Sequence, residues 1–360
     1  MENETLKDVI LQLAALSGEV SEEALRYLDC SDKYLTNLLW QLRNEQVIKR
    51  CDKDGTVGYR LSQSGKKHLR TQYPERYGDY FGKNGITSKV RLDTVHRQRC
   101  HRMSEMNVLL HNAGVNIYPG CNPPFRQSIL SQSSQSMCYT SYEFKDIGDL
   151  AIKMKPSRAV GVIVQEKKTI LLYNSHEKAV KWEDMTEYRA RTVIRKYCGR
   201  PVSAVMSCVD MDGAYELLTS TGGELNRYYH ITDKQPNMYF IPQNPDGVFL
   251  LRFAHLSDCS EQLKERLLSG MIAEEHSNTS HCDGFLDRRT PVLYACDFDM
   301  VRLQGFYQYL DVSGNIGLVF CLDFQVPVLE RYFGNTVTIR VLYTKATADL
   351  FGIPYGGKGG

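Results

Sequence analysis

The chain has 360 residues, 42% hydrophobic and 24% charged, an ordinary balance for folded domains and enough length for two or three cores. Its net charge of +2 excludes a global field that would by itself draw in nucleic acid or a membrane surface, so any such binding has to come from local clusters. No apolar run reaches the roughly 18–20 residues of a membrane span, and the acidic start MENETLKDVI lacks the form of a secretion signal, so a cytoplasmic protein without membrane attachment is expected.

From the N-terminus, Leu6, Val9, Ile10 and Leu13 give residues 5–15 one apolar helical face. Ser21 has the chemistry of an N-cap for a short second helix, SEEALRYLD, with acids in its first turn. Ser31 caps a third helix running to about Asn44, whose Leu35, Leu38, Leu39 and Leu42 form a stripe; Trp40 is read as core at the edge of that stripe. VIKRCDKDGTVGYRLSQSG then reads as two strands joined at Asp54-Gly55. Three helices followed by a hairpin, within residues 1–70, is the order of a winged helix-turn-helix domain.

Residues 71–92 are rich in Gly, Tyr and charge and read as a linker, and 93–113 return to a helical pattern. QSILSQSSQSMCYTS reads as a loop or the approach to a strand, and SYEFK as strand-like. AVGVIV and TILLYN flank QEKK as a hairpin, and WEDMTEYRARTVIRKY forms a helix, so that 93–200 is one α/β region. Over 201–360 strands and helices alternate: SAVMSCV, GAYELLTS, a second hairpin with MYFIP and VFLLRFA around QNPDG, SEQLKERLLSGMI, PVLYACDF, MVRLQGFYQYL, GLVFCLDF, VPVLERYFG, TVTIRVLYT and a flexible GGKGG tail. The fold class expected is mixed α/β, a winged helix-turn-helix followed by an α/β domain.

In a winged helix the third helix enters the major groove. The face opposite its leucines carries Lys33, Tyr34, Asn37, Gln41 and Asn44; amides suit adenine edges, and Lys suits guanine or phosphate. From residue 43 to 70 the bases are Arg43, Lys49, Arg50, Lys53, Arg60, Lys66, Lys67 and Arg70, against Glu45, Asp52 and Asp54. Eight minus three leaves +5, more than the whole chain carries. A wing tip with Lys53 could enter a minor groove or lie along phosphates. The bland alternative is a docking module with solvated charges. Arg97, Arg99 and Arg102 either extend the phosphate-contacting surface or form a solvated helical face, and His96, His101 and His111 read as surface or partly buried histidines.

Four stretches, over about residues 5–195, carry a resemblance: the N-terminal region ending in GYRLSQSGKKHL, TVHRQRCHRMSEMNVLLHNAG, SYEFK, and SRAVGVIV…LLYNSHEKAVKWEDMTEYRA. In these the chain resembles the replication-relaxation family of plasmids and integrative conjugative elements. The resemblance implies an element-encoded DNA-binding protein acting in replication, DNA relaxation or transfer. Family members often carry acidic strand residues reminiscent of restriction-endonuclease-like folds, a pattern from which this sequence departs, and no catalytic residue is carried over.

Catalysis is weighed against that reading. Asp149 with Glu166 and Lys168 fits the bare metal-nuclease pattern, but QEKK falls at a hairpin turn rather than on a core strand. Asp210, Asp297, Asp299 and Asp323 each follow a strand that leads into a helix, the edge where open α/β sheets bind ligands, and Asp297-Phe298-Asp299 has the D-x-D form of a magnesium site. The same positions suit helix N-caps. Eleven cysteines, with no C-x-x-C, read as buried free thiols, and His276, His281 and Cys282 as loop residues rather than a zinc site. The expectation is therefore a non-catalytic DNA-binding protein of a mobile element, without resident metal or cofactor. Its expected partners are double-stranded DNA, a second copy of the chain as a homodimer, and a relaxase or replication protein. The alternatives are a metal-dependent nuclease or phosphoryl-transfer enzyme, with Mg2+, and a protein-interaction module that inhibits a host system.

Overall fold

Helix caps and hairpin turns fix most of the local structure. A computed structural model describes residues 4–81, 93–120, 122–123, 125, 136–145, 154–176, 181–231, 237–272 and 281–356. The chain is mixed α/β and divides into two compact units, residues 1–174 with 189–201 and 356–360, and residues 175–188 with 202–355.

The first unit opens with α1 (Leu6–Ser17), capped by Thr5, then β1 (Val20–Ser21), α2 (Glu22–Leu25) capped by Ser21, and α3 (Asp32–Asn44) capped by Ser31. β2 (Ile48–Lys53) and β3 (Thr56–Leu61) pair antiparallel, and β1 joins the other edge of β3, giving the sheet order β1-β3-β2. Asp54 and Gly55 both have positive φ (+52° and +74°), the backbone of a two-residue type I′ hairpin. The stretch read as a linker is structured up to Phe81. α4 (Gln63–Gln72) and α5 (Pro74–Tyr77) occupy it, Tyr77 is fully buried and stacks on Phe81, and Tyr80 meets both rings edge-on. α6 (Thr94–Asn112) follows and packs on α1, α2 and β1, burying Met103, Met106, Val108, Leu109 and Leu110.

β4 (Met137–Thr140) pairs antiparallel with β5 (Gly161–Val164), and β5 with β6 (Thr169–His176). Between β4 and β5, SYEFK is not a strand but the helix α7 (Ser141–Lys145). Glu143 turns it: its carboxylate accepts from the backbone N–H (2.7 Å) and hydroxyl (2.8 Å) of Thr140. α8 (Asp184–Cys198) follows as the sequence indicates.

In the second unit β7 (Val202–Cys208), α9 (Asp212–Thr219) and β8 (Met238–Pro242) form a parallel β-α-β arrangement. The expected hairpin at QNPDG is absent. Asn244 accepts a hydrogen bond from the Gly247 N–H (3.1 Å) with Pro245 at the first helical position, so the segment begins α10 (Pro245–Leu250), continued by a π-helical turn, Leu251–His255. VFLLRFA is thus helical. After α11 (Cys259–Leu268), a four-stranded sheet holds β9 (Gly284–Phe285), β10 (Pro291–Tyr294), β11 (Gly317–Leu322) and β12 (Val337–Leu342) in the order β12-β11-β10-β9. The last three are parallel, crossed over by α12 (Met300–Ser313) and α13 (Val326–Phe333). Buried apolar runs such as Val292-Leu293-Tyr294 suit strands covered on both faces. A further helix, α14 (Thr344–Phe351), follows β12 where the sequence reading ends in strand and tail. No helix among the described residues is long and apolar enough to cross a membrane.

Candidate nucleic-acid interface

α3 sorts its side chains cleanly. Leu35, Leu38, Leu39 and Leu42 are buried, whereas Lys33, Tyr34, Asn37, Gln41 and Asn44 are exposed. Trp40 corrects the sequence reading: it is 65% exposed. At about 100° per residue the four leucines centre roughly 190° from Lys33, while Trp40 lies within about 20° of it. It therefore stands in the middle of the outward face. Gln41 donates to Glu45 Oε1 (2.8 Å), and Lys7 binds the other oxygen of the same carboxylate (2.6 Å).

β2 extends this surface. Lys49, Arg50 and Lys53 are exposed, with Arg50 paired to Asp52 at 3.2 Å. Arg43 at the end of α3, Lys49 on β2 and Ser62, Gln63 and Ser64 at the start of α4 line one recess of about 360 Å³. The N-terminal N–H groups of a helix and two cations are groups that attract anions. Lys67 is exposed, but Lys66 is half-buried with its ammonium 5.9 Å from the Phe81 ring centroid, and burial lowers its pKa.

Arg60 is drawn inward. It donates to Glu19 Oε2 at 2.6 Å, while Arg97 Nη2 donates to Glu19 Oε1 at 2.8 Å and His101 Nε2 stands 2.7 Å from the same oxygen. The Glu19 side chain has no exposure and that of Arg97 has 2%. Burial works against ionisation of Glu19, but the hydrogen bonds from His101, Arg97 and Arg60 outweigh it and hold the pKa at about 2. Arg97 is thus neither a phosphate contact nor part of a solvated face. Its guanidinium also donates to the carbonyls of Cys51 (2.9 Å), Thr56 (2.8 Å) and Lys53 (3.4 Å), and Thr94 donates to Asp54 at 2.8 Å. The start of α6 therefore braces the β2–β3 hairpin from behind. With Arg60 neutralised by Glu19, seven bases face three acids over residues 43–70.

The carboxylates of the second unit do not converge on one site. Asp210 caps the backbone N–H groups of Asp212 (3.0 Å) and Gly213 (3.3 Å), and Asp299 caps those of Val301 (3.1 Å) and Arg302 (3.4 Å). Asp323 accepts from the N–H and hydroxyl of Thr344 and so ties the end of β11 to the start of α14. Asp297 differs. Burial, opposed by Arg302 and reinforced by Asp299, raises its pKa to about 7. Its Oδ1 and the Oδ2 of Asp299, a residue only 2% exposed, are buried without a hydrogen-bond partner among the described residues. The neighbouring cations serve another acid: Asp283 binds Arg302 at 2.6 Å and Lys264 at 2.8 Å. Glu166 is exposed in the β5–β6 turn, closed by Gln165 N–H to Lys168 O (2.9 Å), and Asp149 and His276 lie outside the described residues. The ten described cysteines are free thiols.

Comparisons of the chain with protein-family models, curated proteins and solved structures find no match. The sequence reading missed Trp40 because it placed the indole at the edge of the leucine stripe, whereas its angle around α3 puts it on the opposite side. It also missed the Glu19 cluster, whose members lie up to 82 residues apart.

Proposed function

We propose that the chain binds duplex DNA through an N-terminal winged helix-turn-helix, with α3 in the major groove and the β2–β3 hairpin as its wing. The observation that carries the reading is the face of α3: four leucines inward, and lysine, tyrosine and three amides outward. The order of elements and the β1-β3-β2 sheet support it, as does the excess of bases over residues 43–70. Amides on the outward face offer donors and acceptors to base edges, whereas Lys33, Arg43, Lys49 and Lys53 supply sequence-independent attraction to phosphate. The setting we propose, from the resemblance in residues 5–195, is the replication, relaxation or transfer of a mobile element, or its regulation. Fluorescence anisotropy with labelled duplex tests the binding. With four phosphate contacts, affinity falls on the order of a hundredfold from about 50 to 200 mM salt. A salt-independent affinity, or none, refutes the reading.

A second reading rests on the two unpartnered carboxylate oxygens of Asp297 and Asp299. Two carboxylates with buried oxygens, two residues apart in D-x-D order, are groups that could contribute to holding a divalent cation in phosphoryl transfer. Incubation of supercoiled plasmid with Mg2+ or Mn2+ decides it: nicking by the wild type that is lost in Asp297→Ala supports catalysis, and equal nicking by both removes it.

A further inference from the structure

Exposing an indole to water leaves a large apolar surface without a partner, and Trp40 does so at 65% exposure, with Tyr34, also exposed, six residues earlier and about 120° round the helix. The identity of the missing partner follows from the surroundings. Three and four residues either side of Trp40 along the helix stand Thr36, Asn37, Arg43 and Asn44. All are exposed and polar, and none is acidic. An anchor for an apolar protein groove sits among further apolar side chains. Trp40 instead has no apolar side chain one turn away in either direction and sits among a hydroxyl, two amides and a guanidinium, which complements a polyanion whose grooves present both hydrogen-bonding edges and isolated methyl groups. In the major groove that methyl is C5 of thymine.

We propose that Trp40 is a specificity-determining residue of the DNA interface, its indole packing on a thymine methyl while Asn37 and Asn44 reach neighbouring base edges. The inference rests on the duplex-binding reading and adds to it the chemistry of the preferred site: at least one thymine under the centre of α3.

The chain offers its own reporter. Of its two tryptophans, Trp182 is 6% exposed and packs edge-on against Tyr229 with ring centroids 5.1 Å apart, so Trp40 dominates any ligand-dependent change in emission. Full-length protein is used to select duplexes from a randomised pool, and the selected duplex is then titrated into wild type, Trp40→Phe and Trp40→Ala. The expected results are quenching of wild-type emission on binding, absent in Trp40→Phe, and roughly tenfold weaker binding of the selected duplex by Trp40→Ala. Replacing thymine by uracil at each position in turn removes the methyl alone. At one position it costs the wild type about fourfold, the factor of one buried methyl group, and costs Trp40→Ala nothing. Because the side chain is exposed, both variants keep the wild-type melting temperature. Salt-dependent duplex binding with unchanged Trp40 emission and full affinity in Trp40→Ala overturns this inference and leaves the duplex-binding reading standing. Failure to select or bind any duplex overturns both and returns the indole to a protein partner.

Discussion

Glu19 is a carboxylate with no solvent exposure, held by Arg97, Arg60 and His101. Moving such charges out of water costs several kcal/mol each, a cost offset only when hydrogen bonds satisfy every oxygen, as three partners do here. Gly58 makes the room, since a Cβ at that position would collide with Glu19 Oε1 and His101 Nε2. Glu19→Gln leaves Arg97 buried without its counter-charge, and denaturant melts at pH 7 are expected to show a loss of about 3–5 kcal/mol. The pH dependence follows from the direction of the shift. A carboxyl at about 2 when folded, against about 4.3 when unfolded, stabilises the fold above the higher value and loses that contribution as pH falls toward the lower. The difference between wild type and variant should therefore be level above about pH 5 and shrink by about 3 kcal/mol on approaching pH 2. A difference that stays constant across that range would show that the carboxylate is not what the arginines require.

At the scale of elements, what could be read from sequence was what local chemistry decides. α3 is capped by Ser31 and ends at Asn44 as expected, because the cap hydroxyl directly precedes the helix and the leucine stripe lies within it. The β2–β3 turn follows from Asp54-Gly55 alone. QNPDG failed because its residues serve two structures: Asn-Pro suits a turn, and equally an N-cap followed by the first helical residue. The seven apolar-rich residues after it, VFLLRFA, have no period that separates strand from helix, so the Asn244 cap decided. SYEFK is short enough for one carboxylate folding back on Thr140 to set its form. In the candidate interface, the outward residues of α3 were legible from angle. The fate of Arg60 was not, because its partner lies 41 residues away and no local pattern announces it.

Over the whole molecule, chain order and compactness disagree, and the disagreement can be tested. The alternating pattern divides the sequence near residue 200, yet residues 175–188 belong to the second unit. Within that unit the Trp182 backbone N–H donates to Arg227 O at 2.8 Å, Lys181 forms a β-bridge with Tyr228, and the Ser175 hydroxyl donates to Ser207 O at 3.1 Å. The Trp182 ring covers Tyr229, which has no exposure. A fragment starting at residue 201 loses all of these. Exposing a tryptophan-sized contact of about 200 Å² costs about 5 kcal/mol, comparable with the entire stability of many domains. Residues 201–356 alone are therefore expected to melt without cooperativity. Residues 175–356 should give a sigmoidal melt by circular dichroism and blue-shifted emission from Trp182, the only tryptophan that this fragment retains. An equally cooperative melt from the shorter fragment would show that residues 175–188 only lie on the unit and do not help to form its core.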